Sequence, residues 1–429
     1  MKIAIVGAGI AGLACARELA RRHEVVLYEA ARRAGGHANT VDVTLEGRSH
    51  PVDTGFLVFN HRTYPKLRQL FDDLKVPTAP TEMSFSVSVA DGRDRLEWAG
   101  TNLSTVFAQR RNLASPRFLR MLGELLRFNR HARAVGAGQR SADGLTLGEF
   151  LDRHRYGDAL RHWYLLPMAA AIWSSPIEAT LQHPFETFAR FCANHGLLQV
   201  NGRPPWYTVP GGSRQYVDAI VSRLPDVRLG DPVQRVEPLA AGGVRLVARH
   251  GVAHFDHVVL ASHSNQSLAL LAPGAREQRQ VLAAVGYQSN RALLHTDVAL
   301  MPQCRSVWSA WNYQSSGSAE PRVAVTYLLN RLQPLPFRTP LLLSLNPIRE
   351  PDPASVIDQF EYEHPLLDAA AVVAQRELPQ VQGMGGVWLA GAWTGHGFHE
   401  DGLASGLSVA AAIQSLGVPE ERDASRLAA

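Results

Sequence analysis

Residues 2–30 read KIAIVGAGIAGLACARELARRHEVVLYEA, and three devices follow one another in that stretch. The apolar run 2–6 reads as a buried strand, and glycines at 7, 9 and 12 form a turn. Ile10, Leu13, Ala14, Ala16, Leu19 and Ala20 then recur at helical spacing before a second apolar run that ends in Glu29. Gly7 permits the tight turn, Gly9 lets a pyrophosphate approach the backbone, and Gly12 lets helix and strand pack closely. The helix N-terminus thereby offers free N–H groups to an anion, and Glu29 is placed to accept hydrogen bonds from ribose hydroxyls. A lone G-x-G-x-x-G is a weak signal, but strand, turn, helix, second strand and terminal acid in this order predict a dinucleotide-binding βαβ unit. These residues leave NAD and FAD both open.

At 429 residues the chain is too long for one simple core and suits two joined domains. The net charge of +4 is modest, with lysine only at Lys2, Lys66 and Lys75 and arginine supplying the rest. No basic, aromatic platform accompanies it, so no nucleic-acid partner is expected. Cys15, Cys192 and Cys304 are far apart and form no metal spacing, which predicts no metal site and a reducing compartment. The N-terminus superficially resembles a signal peptide, but its turn glycines would be wasted in a cleaved segment. No apolar run of about 18 residues predicts a membrane span. The expected location is cytoplasmic, with peripheral attachment to the inner membrane face as a further expectation.

Beyond Glu29, Arg33-x-Gly35-Gly36 again suggests backbone held near a ligand, with an arginine able to reach phosphate. Asp53-Thr54-Gly55 alone suggests an aspartic-protease turn, but no second such triplet exists. Strands are expected at 39–45, 84–89, 227–229, 233–236, 244–248, 257–261, 291–296, 306–311, 323–328 and 341–345. Helices are expected at 64–75, 213–224 and 403–416, with a helical block near 103–191. Residues 1–80, 203–265 and 383–418 then form one discontinuous nucleotide domain. Residues 81–202 and 266–382 form a substrate domain, and 419–429 a polar tail.

Gly7-x-Gly9-x-x-Gly12, Glu29-x-x-x-Arg33-x-Gly35-Gly36, Val209-Pro210-Gly211-Gly212, Ala390-Gly391 and Asp401-Gly402-x-x-Ser405-Gly406 resemble the flavin-containing amine oxidase superfamily. A closer resemblance is to bacterial NAD/FAD-binding oxidoreductases similar to the N-terminal flavin domain of plant cyclopropane fatty acid synthases. It rests on GGHANT (35–40), VDTGFLVFN (52–60), MSFSVS (83–88), LLPMAAAIWSSP (165–176), WNY (311–313), LNRLQPL (329–335), SLNP (344–347) and GFHEDGLASG (397–406). The resemblance implies an α/β fold: a Rossmann-like, glutathione-reductase-type FAD domain with an interleaved α+β substrate domain. It implies FAD as cofactor, with Gly7, Gly9, Ala11 and Gly12 at the pyrophosphate and Glu29 at the adenosine ribose. Arg33, Gly35, Gly36 and His37 follow the phosphate and ribityl chain. Val233 and Ala261 fall near adenine, and Gly391 near the pyrophosphate. Thr54 and Gly55 border the flavin ring, and Asp401, Gly402 and Leu403 open a helix aimed at its pyrimidine edge.

Many amine oxidases hold a lysine near the flavin from the substrate domain, and this chain has none after Lys75. His399 and Glu400 are candidate proton-handling residues beside the flavin, and Tyr327 is a weaker catalytic candidate. The apolar segment 163–173 reads as core that also lines an apolar tunnel. Residues 110–133 carry seven arginines against one acid, Glu124, interleaved with leucine and phenylalanine. Such a helix either packs on its own domain or lies with its apolar face in an anionic membrane surface. Together these features lead to an oxidoreductase acting on a fatty acyl chain of phospholipid. An amine oxidase, a carotenoid-type desaturase and a non-catalytic flavin-bearing partner of a lipid-modifying methyltransferase are the alternatives.

Overall fold

The computed structural model describes residues 1–91, 94–173, 180–194, 196–199, 202, 204–316 and 323–416. The expected tail 419–429 and the 174–176 end of the LLPMAAAIWSSP motif lie outside them. The described residues divide into two compact units, one from within 1–36, 217–283 and 375–416, the other from within 37–216 and 284–374. These divisions differ from the expected ones chiefly in placing 37–80 and 203–216 with the second unit.

In the first unit Lys2–Val6 is the middle of a five-stranded parallel sheet. The order is Asp226–Leu229, Glu24–Glu29, Lys2–Val6, His257–Leu260, Val387–Leu389. The three inner strands are runs of Val, Ile, Leu and Ala that are buried nearly throughout, as a sheet covered on both faces requires. The helices Ile10–Leu19 and His399–Ser415 pack on each other at a close crossing. A Cβ on Gly406 would lie 2.1 Å from the Ala11 carbonyl oxygen. An antiparallel sheet, Val233–Pro238, Val244–Ala248 and Gly251–Phe255, completes the unit.

The second unit is built on a seven-stranded sheet ordered Val356–Leu366, Gly286–His295, Leu342–Leu345, Val323–Leu328, Trp311–Ser315, Phe85–Asp91, Asp94–Ala99. Its one parallel pairing joins Trp311–Ser315 to Phe85–Asp91. A buried polar row crosses five of these strands. Ser86 Oγ donates to Asn312 Oδ1, Asn312 Nδ2 donates to the Thr326 carbonyl, the Thr326 and Ser344 hydroxyls lie 2.7 Å apart, and Ser344 Oγ is 2.8 Å from His295 Nε2. Buried polar atoms paired in this way fix strand register.

The helix Pro116–Gly136 starts at Ser115, whose hydroxyl accepts the Phe118 N–H, with proline in the first turn. It buries Phe118, Met121, Phe128, Ala132 and Val135. A Cβ on Gly136 would come within 2.7 Å of the Ala189 carbonyl, so glycine there lets Phe185–Asn194 cross closely. The stacked rings of Phe150 and Phe185, 3.6 Å between centroids, sit in the same cluster as Phe128.

Two expected elements change. No strand covers 306–311: Arg305–Val307 is a 3-10 turn and the strand begins at Trp311. The reason is local, because the Asn312 side chain accepts the Ser309 N–H and donates to the Ser309 carbonyl, holding a turn where a ladder was expected. The last helix begins at His399, four residues before the expected start, because the Asp401 carboxylate accepts the Phe398 N–H at 2.9 Å. Glu400 and Asp401 thus fill the first turn, where negative charge complements the helix dipole.

Candidate flavin site

The opening turn is assembled by close backbone approach. Gly7 has φ +105° and its N–H donates to the Tyr28 carbonyl at 2.8 Å; a Cβ there would lie 2.9 Å from the Ala261 carbonyl. A Cβ on Gly12 would be 1.9 Å from the Gly7 carbonyl, so only glycine lets the helix sit so near the strand. Gly9 is different. Its φ of −73° suits any residue, and a Cβ there would meet no atom of the described residues within 4 Å. The protein's own packing does not require glycine at that position, whereas a ligand resting on the helix end does. The helix at Ile10 has no side-chain cap, so its first N–H groups are left to that ligand.

Glu29 is held in place by the backbone. Oε2 accepts the Ala8 N–H and Oε1 the Ala31 N–H, both at 2.8 Å, which orients the carboxylate and leaves further lone pairs for hydroxyl donors. The Glu29 carbonyl accepts the Asp231 N–H, bringing the buried Val233 strand start alongside. Gly35 donates to the Ala8 carbonyl at 2.8 Å, and a Cβ on Gly36 would lie 3.2 Å from the Gly9 Cα. Arg33 reaches the Gly36 carbonyl at 3.1 Å. Residues 29–36 are therefore folded back against the turn.

The C-terminal part of the same unit returns to this point. A Cβ on Gly402 would lie 2.9 Å from Ile10 Cγ2, so the starts of two helices, at Ile10 and at His399, touch. Two positive helix ends side by side favour an electron-rich group. Ala11 and Leu403 are buried in this crossing. The preceding loop is tied down: the Gly391 N–H donates to Ser405 Oγ at 3.0 Å, and Gln375 Nε2 donates to the Trp393 and Gly395 carbonyls at 2.8 and 2.7 Å. Gln375 was not singled out by sequence, because a glutamine on a distant helix carries no motif. The Trp393 indole N–H is buried with no hydrogen-bond partner among the described residues. His399 keeps some contact with solvent but is closely surrounded by protein, and this loss of water lowers its pKa to about 3. Burial raises the Asp401 pKa, while the Phe398 N–H and nearby His396 oppose the rise.

Of the residues singled out from sequence, Gly7, Gly9, Ala11, Gly12, Glu29, Arg33, Gly35, Gly36, Val233, Ala261, Gly391, His399, Glu400, Asp401, Gly402 and Leu403 belong to the first unit. His37, Thr54, Gly55 and Tyr327 belong to the second. There the 37–40 and 53–56 stretches are zipped together. The His37 carbonyl accepts the Phe56 N–H at 2.8 Å, a Cβ on Gly55 would lie 2.0 Å from that same oxygen, and the Thr54 hydroxyl bonds with Asn39 and with the Tyr362 hydroxyl. The His37 ring lies 5.3 Å from that of Tyr362 and 5.6 Å from that of His364. Asp53, unremarked as a structural acid in the sequence, is fully buried and accepts the Thr40 hydroxyl, the Ser213 hydroxyl and the Ser213 N–H. Burial raises its pKa to about 6 against those hydrogen bonds, which pull it down. Tyr327 is buried with its ring edge-on to Trp311, 4.9 Å away, and burial pushes its hydroxyl pKa up. Trp163, Leu165, Leu166, Met168 and Ala169 of the apolar segment are buried, and 161–165 forms a π-helical turn. The helix Pro116–Gly136 turns its apolar face into its own unit, the first of the two arrangements the sequence left open.

The flavin containing amine oxidoreductase family matches residues 10–304. A protein named as a flavin-containing monoamine oxidase of Mycobacterium tuberculosis is 31% identical over 274 residues, 60% of this chain and 56% of that protein. The carotenoid phi-ring synthase of Streptomyces griseus is 28% identical over 290 residues, 63% of this chain and 54% of that protein. The chain thus spans little more than half the length of these relatives. The solved structure of putrescine oxidase shares the fold, with TM-score 0.68, 16% identity, and 96% of this chain and 99% of that chain covered. The glycine cradle, the ribose-side carboxylate and the paired helix ends fit FAD, the cofactor of this chain, which belongs to the flavin-containing amine oxidoreductase family.

Proposed function

We propose that the protein is an FAD-dependent oxidoreductase whose substrate is apolar, a fatty acyl chain of phospholipid, from which a hydride and a proton are removed. The observation that carries this reading is the absence of any lysine after Lys75, where the resemblance to amine oxidases implies one from the substrate domain. The sheet of the second unit carries the edge-on aromatic pair Trp311 and Tyr327. The similarity to a carotenoid phi-ring synthase supports an apolar substrate. FAD, when bound, supplies hydride acceptance.

The chain's own part follows from its groups. The N–H groups at the start of His399–Ser415 favour negative charge developing beside them. With a pKa of about 3, His399 is neutral at working pH and serves as a hydrogen-bonding group, a poor store for a proton. Proton removal falls to Glu400 in this proposal. The experiment is anaerobic: the flavin-loaded protein is mixed with phospholipids, with or without methyl or cyclopropane branches, and the visible flavin band is followed. Bleaching by lipid and not by simple amines is expected. Bleaching by amines alone overturns the acyl reading in favour of amine oxidation.

A further inference from the structure

With its apolar face packed inward, the helix Pro116–Gly136 presents a second face outward that the flavin reading does not use. Leu119 and Leu126, 45% and 54% exposed, lie two turns apart on one stripe of that face. Arg120, Arg127, Arg130 and Arg133 surround them, all exposed. Leu103, 77% exposed, and Leu113, 56% exposed, precede the helix in the chain. The helix's single acid, Glu124, is half-buried and accepts the Gly157 N–H at 3.0 Å. Glu124 and Asp158 line a groove with Arg117 and Arg120 beside the first turns. Some arginines are used locally: Arg117 lies over the Trp163 ring, and Arg127 lies over Tyr156. Neither Arg120 nor Arg130 has a salt bridge or hydrogen bond to any described residue.

On this face Leu119 and Leu126 are exposed among exposed arginines. Together they fit a surface that is anionic outside and apolar just beneath. We propose that this outward face rests on an anionic lipid surface, with Leu119 and Leu126 entering the acyl boundary and Arg120 and Arg130 among the headgroup phosphates. The inference is independent of the substrate reading, since it uses no residue of the flavin site.

The flavin-loaded full chain is sedimented with vesicles of phosphatidylcholine alone or mixed with phosphatidylglycerol. Binding to the mixed vesicles only, weakened by salt, is expected. Arg120→Glu with Arg130→Glu should lower the partition coefficient by about tenfold or more, since each basic residue near such a surface contributes about fivefold. Leu119→Ser with Leu126→Ser should lower it several-fold with the salt dependence retained. The milder Arg120→Gln with Arg130→Gln serves if the reversal impairs folding. Equal binding to both vesicles, no binding, or binding of the arginine variants like the parent overturns the proposal.

Discussion

Two turns use the same vocabulary to opposite ends. In the first unit Gly12 lies against the Gly7 carbonyl beside the acid Glu29; in the second, Gly55 lies against the His37 carbonyl beside the acid Asp53. The opening turn leaves space over Gly9 and an uncapped helix end. The Asp53 turn closes on itself, its carboxylate taken up by Thr40 and Ser213 at the start of the helix Arg214–Val221. A glycine next to a buried carbonyl therefore says only that two chains pass closely. What remains open above it distinguishes a ligand cradle from a structural clasp.

The largest expected effect tests the first half of that contrast. Gly12→Val would drive its Cβ into the Gly7 carbonyl and should cost about 4 kcal/mol or more, a large share of a total stability of about 5–15 kcal/mol. Gly9→Ala should leave apoprotein denaturation midpoints nearly unchanged and release FAD on gel filtration. Equal losses of stability in both variants would remove the distinction between the two glycines.

Next comes the clasp. Asp53→Ala strands the Thr40 hydroxyl, the Ser213 hydroxyl and the Ser213 N–H, and should cost about 3–5 kcal/mol in urea unfolding. Its pH dependence sharpens the point. Asp53 titrates near 3.8 when unfolded and about 6 when folded, so the stability it contributes is full below 3.8 and is lost as pH rises through 6. The loss is about 3 kcal/mol. His295 runs the other way: burial lowers its pKa from 6.5 to about 4, so its contribution is present above 6.5 and lost as pH falls through 4. Between about 4 and 6 the two oppose each other. Asp53→Asn should uncover stability that rises with pH across that window, and His295→Gln stability that falls with it. Parallel curves for both variants would show that neither buried group titrates as its surroundings dictate.

The first turn was legible because its signals are local: a period of 3.6 after a glycine turn, and an apolar strand buried on both faces. Legibility failed where partners are distant or where polar residues are buried. Ser86, Asn312, Thr326 and Ser344 look solvent-facing in any one strand, and become interior only when strands more than two hundred residues apart align in register. The strand Val356–Leu366, with Asp358, Gln359, Glu361 and Glu363, has no apolar alternation to mark it, yet it pairs along the whole of Gly286–His295. The arginine-rich helix was legible as amphipathic, but which leucines face outward depends on which phenylalanines the core takes. Asp53 carried a motif, and its role as a clasp came from Ser213, 160 residues away.

The smallest effect decides where Thr54 belongs. Sequence resemblance puts it beside the flavin ring, whereas its hydroxyl is engaged with Asn39 and Tyr362. If those bonds are its whole contribution, Thr54→Val should cost about 1 kcal/mol and leave the flavin absorption spectrum and the FAD dissociation constant as they are. Tyr362→Phe, which removes the same hydroxyl pair from the other side, should then be non-additive with it. A shifted flavin spectrum in Thr54→Val, with additivity to Tyr362→Phe, would instead make this turn part of the cradle and break the contrast between the two turns.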